Sequence, residues 1–176
     1  MRIGIEAQRI FRKNKHGMDY VVLLEVKELQ KMNTKHDFFV FVAPGEDHCL
    51  NDSHNVHVIE IGNGIYPLWE QYALPKAIGE LNLDLLHCTS NTAPLWCKIP
   101  IILTLHDIIF LEQRDRMNES IYQNMGWYYR KMVVPKILKK CKRIITVSNF
   151  EKNNIVNTLS ITEKKIAMIY NGYTDW

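Results

Sequence analysis

The 176-residue sequence has no long apolar run, only four cysteines and almost no excess of charge of either sign. No stretch approaches the ~18 consecutive apolar residues of a membrane-spanning helix, so an integral membrane protein is not expected. Lys and Arg number 22 and Asp and Glu 19, and a net charge of +3 is too small to indicate a nucleic-acid partner. No two cysteines form a C-x-x-C pair, which disfavours a redox motif.

The sequence also lacks the signatures of several chemistries. There is no G-x-G-x-x-G or Walker pattern, and no G-x-S-x-G element of a hydrolase follows a predicted strand. The spacing of His48, Cys49, His54 and His57 matches no compact zinc pattern, so we expect neither a metal site nor another bound cofactor. Met1 leads directly into strand-like residues, without the basic and apolar segments of a secretory signal. A cytoplasmic protein with reduced thiols is therefore the expectation.

What the sequence does contain is an alternation of short apolar runs and helix-period segments. The predicted strands are Ile3–Ala7, Phe38–Val42, Val56–Ile61, Leu83–His87, Ile99–Leu105, Arg143–Val147 and Ile166–Tyr170. The predicted helices cover about Gly17–Met32, Pro67–Leu81, Met117–Cys141 and Asn149–Leu159. This pattern predicts an α/β domain with a Rossmann-like parallel sheet and helices on both faces. Pro135 is expected to kink or split the third helix.

Ligands of open parallel sheets bind beyond the carboxyl ends of the strands, which makes the residues after each strand the candidates. Gly17 opens the first predicted helix after a basic loop that runs from Arg9 to His16. Exposed N–H groups at a helix N-terminus attract anions, so this segment is a candidate phosphate site. The alternative is a flexible loop that ends in an ordinary glycine.

Two further candidate positions follow predicted strands. His106 and Asp107 end the most apolar strand, and polar side chains at such a place are costly to bury unless they are bonded or used. His106 can bond a sugar or phosphate oxygen, or simply a backbone carbonyl; Asp107 can orient a ligand or cap the next turn. Ser148 begins the capping box Ser148-Asn149-Phe150-Glu151, so it is first a helix start, and a ligand contact second.

The segment from Trp127 to Arg143 is both aromatic and basic. One interpretation is peripheral contact with an anionic membrane through residues Arg130–Arg143. The other is a helix that buries Tyr129, Met132, Ile137 and Cys141 while its lysines face water. The second interpretation is the one we favour from the sequence.

Five segments in order resemble the N-terminal half of a glycosyltransferase family 4 enzyme of the two-domain GT-B fold. They are MRIGIEAQRI…HGMDYV, LWEQYALPKAIGELNLDLLHCTSN, PIILTLHDIIFLE, RIITVSNFEKNNIV and EKKIAMIYNGYTD. The last is similar to the family's P-N-G-V-D hinge, with Tyr170 and Tyr173 in place of proline and valine. The resemblance implies that residues 1–170 are the acceptor-side domain and that 171–176 begin the hinge to a second domain that is absent.

The resemblance further implies a retaining, metal-independent transferase that moves a hexosyl group from a nucleotide-sugar to a glycan or lipid-linked acceptor. By position, His106 would touch the transferred sugar, Gly17 the diphosphate, and Ser90, Asn91 and Asp107 the acceptor side. The family's second-domain E-x7-E motif is missing, so we expect this chain alone to transfer no sugar. Two alternatives remain at this point: a sugar-nucleotide epimerase of the same architecture, and a non-catalytic binding module.

Overall fold

A computed structural model describes residues 1–62, 65–111 and 121–172, with the side chains of 121–123 excluded. Its strands are β1 (Arg2–Glu6), β2 (Asp37–Val42), β3 (Val56–Glu60), β4 (Leu85–Cys88), β5 (Ile101–Thr104), β6 (Arg143–Thr146) and β7 (Ile166–Met168). Its helices are α1 (Gly17–Lys31), α2 (Tyr66–Leu68), α3 (Leu74–Leu81), α4 (Ile121–Lys140) and α5 (Asn149–Leu159). All seven predicted strands are found, with shifts of one or two residues at their ends.

The strands form one sheet in the order β3-β2-β1-β4-β5-β6-β7. Every neighbouring pair is parallel. The predicted parallel α/β architecture is therefore confirmed. Two crossovers differ from simple strand–helix alternation, because β2 connects to β3 and β4 to β5 through loops without an α-helix. Residues 89–100, the second of these loops, lie where ligands of such sheets are expected.

Both faces of the sheet are covered, as the apolar strands predict. Successive residues of β2 point to opposite faces, so Phe38 and Val40 join one cluster while Phe39 and Phe41 join the other. On the first face the buried residues of α1 complete the core: Val22, Leu23 and Val26. On the other face the core is completed from α3, α4 and α5, including Ile78, Ile137 and Ile155.

The segment between β3 and β4 contains a π-helical turn over Trp69–Ala73, which joins α2 to α3. Leu74 donates its N–H to the carbonyl of Trp69, five residues back. Pro75 follows and has no N–H, so regular helical bonding is interrupted at this point. Such turns re-aim side chains and are frequent at functional sites. Here Trp69 and Glu70 both turn into the interior.

The long helix α4 corrects two expectations. It runs unbroken from Ile121 to Lys140 with Pro135 inside it, so the proline does not split the helix. Ile137 and Cys141 are buried as predicted, but Met132 is 54% exposed. The prediction that Met132 lies in the core is therefore wrong, because its face of α4 points outward. The predicted start of this helix, residues 117–120, lies outside the described residues.

In the described part of the chain, no helix combines the length and the apolar character needed to cross a membrane.

Candidate functional site

The carboxyl ends of β1 and β4 are joined by hydrogen bonds between Glu6 and Thr89. Glu6, the last residue of β1, is fully buried. Thr89 follows β4 and donates its hydroxyl to the Glu6 backbone carbonyl at 2.7 Å. Its N–H also lies 3.3 Å from Glu6 Oε2. These bonds fix the start of the loop over residues 89–100, and with it the surroundings of His106.

His106 follows β5 and is held by that loop at two points. Its backbone N–H donates to Asn91 Oδ1 at 2.7 Å, and its ring Nε2 lies 2.9 Å from the Thr89 carbonyl. A carbonyl oxygen only accepts hydrogen bonds, so Nε2 carries the ring proton. Burial lowers the pKa of His106, although the bond to the Thr89 carbonyl opposes this. The side chain is therefore a neutral imidazole at neutral pH, with Nδ1 as an acceptor.

Asn91 is almost fully buried and adopts a left-handed backbone conformation with φ of 66°. Asparagine is one of the few residues that tolerate this region. Its N–H donates to the Thr104 carbonyl at 3.1 Å, and its side chain supports His106. The structure thus brings two of the predicted site residues, Asn91 and His106, into direct contact.

Asp107 and Ser148 both cap short-range structure. Asp107 Oδ1 accepts the N–H of Ile109 at 3.2 Å, at the start of a 3-10 turn over Ile109–Leu111. Ser148 Oγ accepts the N–H of Glu151 at 3.1 Å and begins α5, as the capping box predicts. Within the residues that the structure describes, no hydrogen bond joins Ser148 to His106. The ligand contacts predicted for Asp107 and Ser148 remain predictions.

The N-terminus of α1 is surrounded by paired charges. Asp19 accepts the N–H of His16 at 2.8 Å, and its carboxylate also pairs with Arg9 at 3.2 Å and with Arg12. Lys15 pairs with Asp47. The basic loop is thus partly neutralised from within the chain. Gly17 is exposed, and a Cβ atom placed on it would meet no atom within 4 Å, so packing does not require glycine there.

Ser90 lies beside this basic loop. It lines a cavity of about 210 Å³ whose wall also includes Arg9, Arg12, His16 and, from α4, Arg130. The structure therefore places Ser90 beside the loop that precedes Gly17. The chain neighbours of Ser90, Thr89 and Asn91, are the residues that bond His106.

A buried polar cluster that the sequence analysis missed lies behind this cavity. Glu70 is fully buried and accepts hydrogen bonds from Thr92 Oγ1 at 2.6 Å, from Tyr66 at 2.8 Å and from Tyr129. Gln71 Nε2 lies 2.9 Å from the second carboxylate oxygen. Burial raises the pKa of Glu70 to about 7, and the hydrogen bonds from Thr92 and Tyr129 oppose the rise. Helical periodicity could have revealed Glu70, since it falls on the buried stripe of Leu74 and Ile78.

Cys49, His54 and His57 each contact a different part of the chain. Cys49 Sγ lies 3.3 Å from the Ile10 carbonyl, and His54 Nε2 lies 3.3 Å from the Met32 carbonyl. His57 packs on the Phe39 ring, with centroids 5.0 Å apart. Among the described residues no three His, Cys, Asp or Glu side chains are grouped to hold a metal ion.

The model of glycosyltransferase family 4 matches residues 16–175 of the chain. The chain belongs to glycosyltransferase family 4. The predicted family is thereby confirmed, and the match includes Gly17, the His106 strand end and the Ser148 cap. This family 4 chain is also similar to the protein named O-antigen chain mannosyltransferase RfbU of Salmonella typhimurium, with 32% identity over 108 residues. That alignment covers 61% of this chain and 28% of the relative, so the chain spans well under two thirds of the relative's length.

Proposed function

We propose that residues 1–170 are the acceptor-side domain of a retaining glycosyltransferase, which moves a hexosyl group from a nucleotide-sugar to a glycan or lipid-linked acceptor. Residues 171–176 would begin the hinge to a second domain that holds most of the donor. The family match over residues 16–175 favours transfer over the epimerase and binding-module alternatives. The structural observation that carries the proposal is His106, a neutral imidazole fixed at the carboxyl edge of the sheet by Thr89 and Asn91.

In this proposal His106 positions the transferred sugar. With Nε2 donating to the Thr89 carbonyl, Nδ1 can accept a hydrogen bond from a sugar hydroxyl. Gly17, at the N-terminus of α1, lets the diphosphate approach backbone N–H groups without a side chain in the way. Ser90, Asn91 and Asp107 contact the acceptor. Ser148 contacts a ligand at the N-terminus of α5.

Catalysis would rest on charge stabilisation rather than on a protein nucleophile. The glycosidic bond to the diphosphate breaks as the acceptor oxygen bonds the anomeric carbon from the same face, which retains the configuration. Fixed donors stabilise the negative charge on the departing diphosphate. The acceptor hydroxyl passes its proton to an oxygen of the departing diphosphate as the new bond forms, and its orientation lowers the entropic cost of the step. Neither a metal ion nor another cofactor takes part.

The test is a transfer assay of the 176-residue chain with labelled nucleotide-sugars, together with binding measurements. We expect no turnover and weak binding of the donor, because the chain would hold only the acceptor side. Robust transfer by this chain alone would contradict the two-domain proposal. In a full-length enzyme that contains the chain, His106→Ala should lower kcat far more than it lowers the free energy of unfolding.

We also propose that the protein is cytoplasmic. In this proposal it contacts the inner face of the membrane through Arg130–Arg143 and the preceding turns of α4. Three apolar side chains on α4, Met125, Tyr128 and Met132, are 50–54% exposed. Further along the helix, Lys136, Lys139 and Lys140 are exposed as well. Trp96 is 79% exposed, with Lys140 Nζ 5.2 Å from its ring centroid. Aromatic side chains with lysines are typical of surfaces that bind anionic lipid.

Vesicle co-sedimentation tests this contact. The chain should bind vesicles that contain phosphatidylglycerol but not pure phosphatidylcholine. Each lysine near an anionic surface contributes about 1 kcal/mol, so the double variant Lys139→Gln, Lys140→Gln should bind more than tenfold more weakly. The double variant Lys27→Gln, Lys35→Gln removes the same charge from α1 and the segment after it, on the other face of the sheet from α4, and is the matched control. Equal losses in both variants would contradict a contact through α4.

A further inference from the structure

The cavity beside Ser90 has a cationic wall. Its lining includes Arg9 and Arg12 from the loop after β1, His16 before α1, and Arg130 from α4. Within the described chain, no lining residue of this cavity is acidic. Its volume of about 210 Å³ is below the ~300–1,000 Å³ of pockets for drug-sized ligands. The cavity is therefore suited to one small anionic group.

The ion pairs at the cavity use few carboxylates. Asp19 pairs with both Arg9 and Arg12, so one carboxylate serves two guanidinium groups. Arg130 makes no ion pair with the residues that the structure describes, and the buried Glu70 lies behind the side chains of Tyr66 and Tyr129. Among the described residues, the lining itself is therefore cationic. Guanidinium groups bind phosphate oxygens with two N–H donors at once, which makes phosphate the favoured occupant.

The remaining walls are aromatic and apolar. Tyr66 and Tyr129 direct their hydroxyls to Glu70, and their rings meet edge to face with centroids 6.2 Å apart. Both hydroxyls are thus engaged by Glu70, and the cavity lining also includes Ile65 and Met125. The Arg9 guanidinium lies 5.7 Å from the Tyr66 ring centroid. A cationic side next to an aromatic side suits a phosphate that is attached to an apolar chain.

We propose that this cavity binds the phosphate or diphosphate group of an acceptor. The proposal rests on the proposed function only in assigning the anion to the acceptor. Ser90 lines the cavity and lies in the chain between Thr89 and Asn91, the two residues that hold His106. In this proposal the group attached to the anion extends towards the imidazole. The lining residues belong to the proposed acceptor-side domain, whereas the donor is proposed to bind mainly in a second domain. We therefore assign the anion to the acceptor.

Isothermal titration calorimetry with inorganic pyrophosphate tests the site in the 176-residue chain. We expect saturable binding that weakens with added salt. Arg130→Gln should weaken it at least about tenfold, because it removes a charge-assisted hydrogen bond. Lys131→Gln is the matched control, since Lys131 is the next residue of α4 and its Nζ lies 4.4 Å from the Trp127 ring centroid, away from the cavity. Circular dichroism should show that both variants fold.

Two further ligands separate the sources of the anion. Geranyl diphosphate should bind at least as tightly as pyrophosphate, because its chain can contact the aromatic wall. If UDP or GDP binds more tightly than either with the same dependence on Arg130, the cavity serves the donor and the acceptor assignment is overturned. Absence of saturable pyrophosphate binding, or equal affinities of the Arg130 and Lys131 variants, overturns the site itself. None of these measurements requires sugar transfer, so their failure is distinct from failure of the proposed function.

Discussion

Asn91 Oδ1 accepts the backbone N–H of His106 from across the gap between the loops that follow β4 and β5. Because Asn91 is buried, loss of this acceptor leaves the His106 N–H without a partner, which costs about 1–3 kcal/mol. Asn91→Ala also replaces a residue that tolerates φ of 66° by one that does so poorly, at a further cost of about 1 kcal/mol. We expect chemical denaturation to show both losses.

Asn91→Gly separates the two effects. Glycine tolerates the left-handed conformation, so this variant should lose the hydrogen bond and be about 1 kcal/mol more stable than Asn91→Ala. In both variants the amide resonance of His106 should shift in a ¹H–¹⁵N spectrum. An unchanged His106 resonance would show that Asn91 does not hold the histidine.

The ring of His106 should be neutral with its proton on Nε2. Burial lowers its pKa below the ordinary 6.5, so the folded chain takes up a second ring proton, on Nδ1, only at a lower pH than the unfolded chain does. As pH falls below 6.5, the unfolded chain therefore binds more protons and the fold loses stability. Long-range ¹H–¹⁵N spectra should show the Nε2–H tautomer at pH 7 and protonation only below 6.5. A Nδ1–H tautomer would contradict the bond to the Thr89 carbonyl.

The main features of the fold could be predicted because they depend on local patterns. Runs such as Phe38–Val42 are apolar on both faces, as is typical of a parallel strand that helices cover on each side. The outward turn of Met132 could not be predicted, since several faces of α4 carry apolar residues and periodicity alone does not choose among them. The left-handed backbone of Asn91 also depends on the contacts of its loop with β5.

Much of the candidate site depends on contacts between segments far apart in the chain. His106 could be predicted from its place at the end of an apolar strand, because this reasoning does not require knowing which distant residues contact it. Glu70 receives hydrogen bonds from Thr92 and Tyr129, which lie 22 and 59 residues away. Arg130 joins a cavity with Arg9 only because α4 packs on one face of the sheet. No local pattern encodes those distances.

Glu70 should make stability depend on pH. Its pKa is about 7 in the fold against an ordinary value of 4.5, so between these two pH values the folded chain binds more protons than the unfolded one. Stability contributed by the neutral carboxyl is therefore lost as pH rises from about 4.5 to about 7, by on the order of 3 kcal/mol. Because His106 has the opposite effect below pH 6.5, the Glu70 contribution is measured as the difference between the wild type and Glu70→Gln in urea denaturation at a series of pH values.

Glu70→Gln provides the comparison, because the amide has nearly the same shape and does not titrate. The variant should show a flatter pH profile between about 4.5 and 7, even if it is less stable throughout for lack of an acceptor for Tyr129. Glu80→Gln, at an exposed position of α3, is the control and should keep the wild-type profile. A wild-type slope in Glu70→Gln would mean that another group titrates.

Gly45 should be far less tolerant of substitution than Gly17. A Cβ on Gly45 would lie 2.1 Å from the backbone oxygen of Phe11, in the loop that carries Arg9 and Arg12. Gly45→Ala must therefore push this loop aside, at a cost of about 1–3 kcal/mol, or several degrees in Tm. Gly17→Ala meets no atom and adds a better helix former, so its Tm should stay the same or rise slightly. Pyrophosphate affinity should fall in Gly45→Ala, since the displaced loop supplies part of the cationic wall. Equal Tm values for the two variants would show that the loops after β1 and β2 pack less closely than their backbones indicate.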